Sequence, residues 1–193
     1  ITHVFGQETS CTRARNGQGF CSSIAFMSIC LSHNTALSVW RAARASLLPA
    51  PSISYAAVPE KVVAREVRAL RDSSLSTIVA LERPHLMVAS QDGKTSRCSV
   101  VCHCPIASKA PPRLFSINLD VCVVSVEDVF AQVSLRASVE ALMLLAFELC
   151  GSYSLLPDGS FVAAQPLTSV KRLASRVGAL APFPGSAKAA TAL

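Results

Sequence analysis

Apolar and polar positions change their period along the chain. Ile1–Gly19 is polar and aperiodic, and residues 1–27 read as a loosely ordered arm. Ala36, Leu37, Val39, Trp40 and Ala43 then recur at helical spacing, with Arg41 and Arg44 on the edges and Ser32 or Asn34 as cap. Leu48–Ser54 reads as a linker. Pro59 falls near the first turn of a second helix, where its missing N–H costs little. Val63, Val67 and Leu70 form that helix's buried stripe, and Lys61, Arg65 and Arg68 lie on its other side.

After Asp72 the period shortens. Ile78–Leu81 and His85–Val88 read as strands, and Asp92-Gly93 supplies a hairpin turn. Ser99–Cys104, Leu114–Ile117 and Val121–Val124 read as three more strands. Ser125 opens a helix, with Asp128 three residues on in a capping position. Val139–Phe147 is apolar all round, which predicts burial on most faces. Gly151 reads as the left-handed residue that stops it. Pro157-Asp158-Gly159 is a turn. Thr168 or Ser169 caps a last helix with Val170, Leu173, Val177 and Leu180 inward and Arg172 and Arg176 outward. The expected class is α+β, a small antiparallel β-sheet packed against several α-helices, over residues 28–193.

Composition supports a dense core. Hydrophobic residues make up 51% of the 193 and charged residues 16%, against about 25% charged in ordinary domains. Disordered, collagen-like and coiled-coil chains are excluded. The net charge of +6 is a mild basic excess, compatible with an anionic partner. No apolar run reaches the ~18–20 residues of a membrane span. Phe20–Leu31 behind Arg13 and Arg15 has the outline of a signal peptide, but Ser22, Ser23 and Ser28 dilute it and no small-residue cleavage site follows. Several of the eight cysteines sit inside apolar runs, so reduced, buried thiols in a cytoplasmic protein are expected. The chain opens on Ile1 and closes on a run of helix formers, which reads as a fragment truncated at its C-terminus.

Candidate chemistry is sparse. Cys98, Cys102, His103 and Cys104 form the one cluster that suggests metal. Zinc needs four converging ligands. On a strand Cys98, Val100, Cys102 and Cys104 share one face and His103 faces the other way, so the stretch reads as core, with no metal or cofactor. His33 follows Ser32, but neighbours on a helix do not face each other, so it reads as a capping or surface residue. Glu127 and Asp128 diverge. Glu148, near the end of the apolar helix, is expected to pair with a buried donor, an Arg or a His. The chain lacks a P-loop and a dinucleotide fingerprint. The basic faces Lys61, Arg65, Arg68 and Lys171, Arg172, Arg176 are the candidate phosphate contacts.

Five phrases carry a resemblance: Leu31–Arg41, Cys102-His103-Cys104, Val123–Phe130, Phe147-Glu148-Leu149-Cys150-Gly151-Ser152-Tyr153 and Pro166–Val170. In this order they are similar to a group of uncharacterised actinobacterial proteins that resemble AbiEi-type antitoxins of type IV toxin–antitoxin loci. Ser32, His33, Arg41, His103, Ser125, Glu127, Glu148 and Gly151 are the family-phrase residues singled out for a role. Val126 stands where that group has Pro. The antitoxins' N-terminal winged helix has no room in Ile1–Met27, and the nuclease-like domain of longer members would follow Leu193. The resemblance implies the scaffold half of a regulator or nuclease-like protein, without the DNA reader or the catalytic metal site. The expected function is a non-catalytic regulatory or scaffold domain that contacts a toxin or other protein, with DNA contact coming from the two basic helix faces. Two alternatives stay open: the front part of a Vsr-like or restriction nuclease whose active site lies beyond Leu193, and a secreted, disulfide-bonded binding protein.

Overall fold

A computed structural model describes residues 29–95, 99–108, 110–155 and 160–193. Six strands form one sheet: β1 (Ile29–Leu31), β2 (Ser52–Ser54), β3 (His85–Met87), β4 (Val101–His103), β5 (Leu114–Ser116) and β6 (Val121–Val124). Their spatial order is β2-β5-β6-β1-β3-β4. Six helices accompany them: α1 (His33–Arg44), α2 (Ala64–Arg71), α3 (Val126–Val133), α4 (Val139–Cys150), α5 (Val170–Leu180) and α6 (Ser186–Thr191). A separate hairpin pairs β7 (Tyr153–Leu155) with β8 (Phe161–Ala163). The α+β class holds. The sheet is mixed rather than antiparallel, because β1 pairs in parallel with β6 and β3 with β4. Parallel pairing needs long crossovers, and 89 residues separate the end of β1 at Leu31 from the start of β6 at Val121 (121 − 31 − 1).

The two central strands explain themselves. Ile29-Cys30-Leu31 and Val121-Cys122-Val123-Val124 are apolar without alternation, and every residue in them is buried. Strands covered on both faces read this way. Both run at the same end of the sheet into a helix, β1 into α1 and β6 into α3. Trp40 on α1 donates from Nε1 to the Val124 carbonyl at 2.8 Å and meets the Phe115 ring edge-on.

The N-terminus of α3 follows the sequence expectation. Ser125 Oγ accepts from the Asp128 N–H at 3.1 Å and donates to Asp128 Oδ2 at 2.8 Å. Asp128 also accepts from the Arg113 N–H at 3.0 Å, and its Oδ1 accepts from Arg176 Nε and Nη2 at 2.9 and 2.6 Å. Arg176 Nη2 donates further to the Pro111 carbonyl at 2.6 Å. Both side chains of this ion pair are 4% exposed. Arg176 therefore points inward with Leu173, Val177 and Leu180, while Val170 is 47% exposed. Both are reversals of the expected helix face.

Other expectations also yield. Ile78–Leu81 forms no strand and follows a 3₁₀ turn at Ser74–Thr77. Asp92-Gly93 is a 3₁₀ turn in the crossover between β3 and β4 rather than a hairpin turn. Gly93 packs so closely on the Glu60 carbonyl that a Cβ would fall 1.8 Å from it. Gly151 has an extended backbone (φ −74°, ψ 157°), and glycine serves there because a Cβ would crowd the Phe147 carbonyl. Helix α4 buries only Leu142, Ala146 and Leu149, which leaves Leu144 and Phe147 70% and 72% exposed. Its apolar composition exceeds what α3 and α6 cover. The Pro157–Gly159 turn, Cys98 and residues 1–27 lie outside the described residues. Among the described residues, no helix is long and apolar enough to cross a membrane.

The buried pair yields a prediction. Asp128→Ala leaves the Arg176 charge buried and unpaired, which should cost about 3–5 kcal/mol. The joint change Asp128→Leu with Arg176→Met should cost much less. Urea denaturation checks both, and equal midpoints for the wild type and Asp128→Ala would refute the role of the pair.

Candidate metal centre

Three histidines from separate parts of the chain meet beside the ends of the central strands. His33 starts α1, two residues after β1 ends. Buried Ser32 joins β1 to β3 by donating its N–H to the His85 carbonyl at 2.9 Å, and the His85 N–H donates to Thr35 Oγ1 at 2.9 Å. In the parallel register of β3 and β4, His85 stands opposite Val101 and His103 opposite Met87. His85 and His103 are thus diagonal neighbours on one sheet face, within reach of long side chains.

His33 adopts a left-handed backbone, with φ of 48°. That region is uncommon for residues other than glycine and marks a place where surroundings impose a conformation. Here the surroundings are identifiable. The His33 N–H donates to Gln132 Oε1 of α3 at 2.9 Å, and its ring Nδ1 lies 3.2 Å from Ser32 Oγ. With Nδ1 held by Ser32, Nε2 is the nitrogen left for a ligand.

The rings themselves are close. His33 and His103 stack with centroids 3.5 Å apart, and His85 Nδ1 lies 2.9 Å from His103 Nε2. One ligating nitrogen from each of the three falls within 4.8 Å of the others. Burial lowers the pKa of His33 to about 3, helped by the neighbouring His103 and His85 and by Arg136. Burial likewise lowers His103 to about 4, with His85, Lys94 and Arg136 adding to it. His85 is lowered by burial, then by Arg136 and Arg83. At neutral pH all three are uncharged imidazoles, and the close His85–His103 contact is one N–H donating to one lone pair.

Neutral imidazoles are the commonest metal ligands. A tetrahedral zinc with Zn–N bonds of ~2.05 Å spaces its donor nitrogens about 3.3 Å apart. The His85–His103 pair is already near that spacing, and no pair has more than roughly 1.5 Å to close, which rotation of half-buried rings can supply. Ser32 stands where an outer partner of a metal ligand stands, with its hydroxyl 3.2 Å from the His33 ring nitrogen.

The residues singled out from sequence fare unequally. His33 and His103 meet, and Ser32 supports them. His85 was not among the candidates. Of the Cys98–Cys104 stretch, His103 alone joins the three-histidine group. Cys102 Sγ instead donates to the Thr95 carbonyl. Ser125 caps α3. Glu127, 2% exposed, accepts from Thr168 Oγ1 at 2.6 Å and pairs with Arg172 at 3.1 Å. Glu148, partly buried, receives a bidentate pair from Arg41 at 2.6 Å, so an Arg partner is present, but that donor is 51% exposed rather than buried. Gly151 presents its carbonyl to Arg44, which also binds the carbonyls of Glu148 and Tyr153 and so closes the end of α4. Of the candidate phosphate contacts, Lys61, Arg65, Arg68, Lys171 and Arg172 are exposed, whereas Arg176 is committed to Asp128. A cavity of 440 Å³ beside α2 holds Arg65, Glu66 and Asp120, and no histidine or cysteine lines it.

No family model matches this chain, and no curated protein or solved structure matches it either.

Because the Arg41–Glu148 pair is half exposed, Glu148→Gln should lower stability by no more than about 1 kcal/mol. Thermal unfolding measures this, and a loss as large as that of Asp128→Ala would show that the pair carries more of the fold than its exposure implies.

Proposed function

We propose that this protein binds a divalent transition-metal ion, zinc foremost, through His33, His85 and His103. The observation that carries the reading is the convergence of three uncharged imidazoles within 4.8 Å. An all-nitrogen donor set suits zinc, cobalt, nickel or copper rather than magnesium or calcium, which take oxygen ligands. Three protein ligands leave one tetrahedral position open. That is the pattern of metal sites that act on an external ligand, since purely structural zinc sites are closed by four.

The test is titration of the full chain, stripped of metal, with cobalt(II), whose visible spectrum reports tetrahedral nitrogen coordination. His33→Ala, His85→Ala and His103→Ala should each weaken binding by about a hundredfold or more, and Ser32→Ala by roughly ten- to a hundredfold. A wild type without the tetrahedral spectrum, histidine variants that bind like the wild type, or a thiolate charge-transfer band from cysteine ligation would each overturn the assignment.

A second reading, DNA contact by a regulatory domain of the AbiEi-like kind, is favoured by one observation: Arg65 and Arg68 stand exposed on α2, with Lys61 just before it. Affinity for duplex DNA should then fall steeply with salt. Arg65→Gln with Arg68→Gln should flatten the slope by about two phosphate contacts. Salt-independent binding, or none at low salt, would sink this reading.

A further inference from the structure

The histidine cluster is a wall shared by two cavities. One, of 330 Å³, also has Arg136 in its lining, and the other, of 460 Å³, has Lys94. His33 and His103 line both. No Asp or Glu lines either cavity, and their charged lining residues are these two cations. Arg136 lines the smaller cavity together with all three histidines, and Lys94 lines the larger one together with His33 and His103. Protein metal sites commonly neutralise the ion with carboxylates or thiolates. Three neutral imidazoles do not. The ion's two positive charges would join those of Arg136 and Lys94 around a confined space, with no carboxylate among the lining residues to offset them and Cys104 as the one lining thiol.

We infer that the open position of the metal centre takes a small phosphate-bearing ligand, gripped by Arg136 from one cavity and by Lys94 from the other. This rests on the metal reading above and adds the ligand class. An anion relieves the accumulated positive charge, and a phosphate dianion relieves it better than a carboxylate monoanion. The guanidinium offers phosphate a planar, bidentate fork, and the ammonium a point charge. Both side chains are exposed, so their heads can turn to the ligand. The cavities are the size of small-molecule sites rather than of polymer grooves. Ile106, Pro182 and Phe183 give the larger one an apolar wall for the organic part of such a ligand.

The experiment uses the full chain loaded with cobalt(II), titrated with inorganic phosphate and, in parallel, with acetate. Phosphate should perturb the cobalt spectrum at a lower concentration than acetate. Arg136→Gln and Lys94→Gln should each weaken the phosphate response about tenfold without weakening cobalt binding. Both residues are exposed, and circular dichroism verifies that the variants fold. A normal cobalt spectrum that phosphate does not alter, an equal response to acetate, or variants that respond like the wild type would overturn the phosphate assignment and leave the metal site standing. Failure to bind cobalt at all would remove the metal centre, and the phosphate site with it.

Discussion

The Asp128–Arg176 pair is the constraint on which the rest of the site depends. It joins the start of α3 to α5, and through the Arg113 N–H and Pro111 carbonyl it also fixes the entry to β5. A buried ion pair is tolerated only when its remaining hydrogen-bonding capacity is used. Here the carboxylate receives from a hydroxyl, a backbone amide and two guanidinium nitrogens. Gln132 lies four residues after Asp128, one turn along α3, and its Oε1 holds the His33 backbone. The electrostatic anchor and the imidazole cluster are thus two ends of one short rigid helix.

Much of the fold was legible because local chemistry agreed with tertiary structure. The Ser125–Asp128 cap, α1 with its buried Val39 and Trp40, and the strands at His85, Leu114 and Val121 all emerge from spacing alone. The errors have specific causes. Arg176 shares a helical face with Leu173, Val177 and Leu180, so its spacing points inward although its charge points outward. The α4 error is the converse: apolar content states what a helix could bury, not what its neighbours are able to cover. The hairpin expected at Asp92-Gly93 fails because a turn signal says that the chain bends, not which strand it meets next.

The histidine cluster was half legible. Strand alternation put His103 on the face opposite Cys102, as in β4, whereas Cys104, past the end of that strand, lines the same cavity as His103. What no local pattern contains is the partner on that face. It depends on the parallel register of β3 with β4 and on the antiparallel contact of β3 with β1, each set by long-range packing. Four ligands from one contiguous stretch would be mostly cysteines, and His85 lies outside that stretch. The backbone of His33 was equally silent, because nothing in Leu31-Ser32-His33-Asn34 demands a left-handed residue until Gln132 arrives from α3.

That left-handed residue sets stability and chemistry against each other. Glycine would adopt φ of 48° with less strain than any side chain, so the substitution that most relaxes this junction is also one that deletes a ring from the cluster. A search for more robust variants of the chain would be drawn to position 33 and would dismantle the site while improving the scaffold, the exchange that recurs where function sits on a strained backbone.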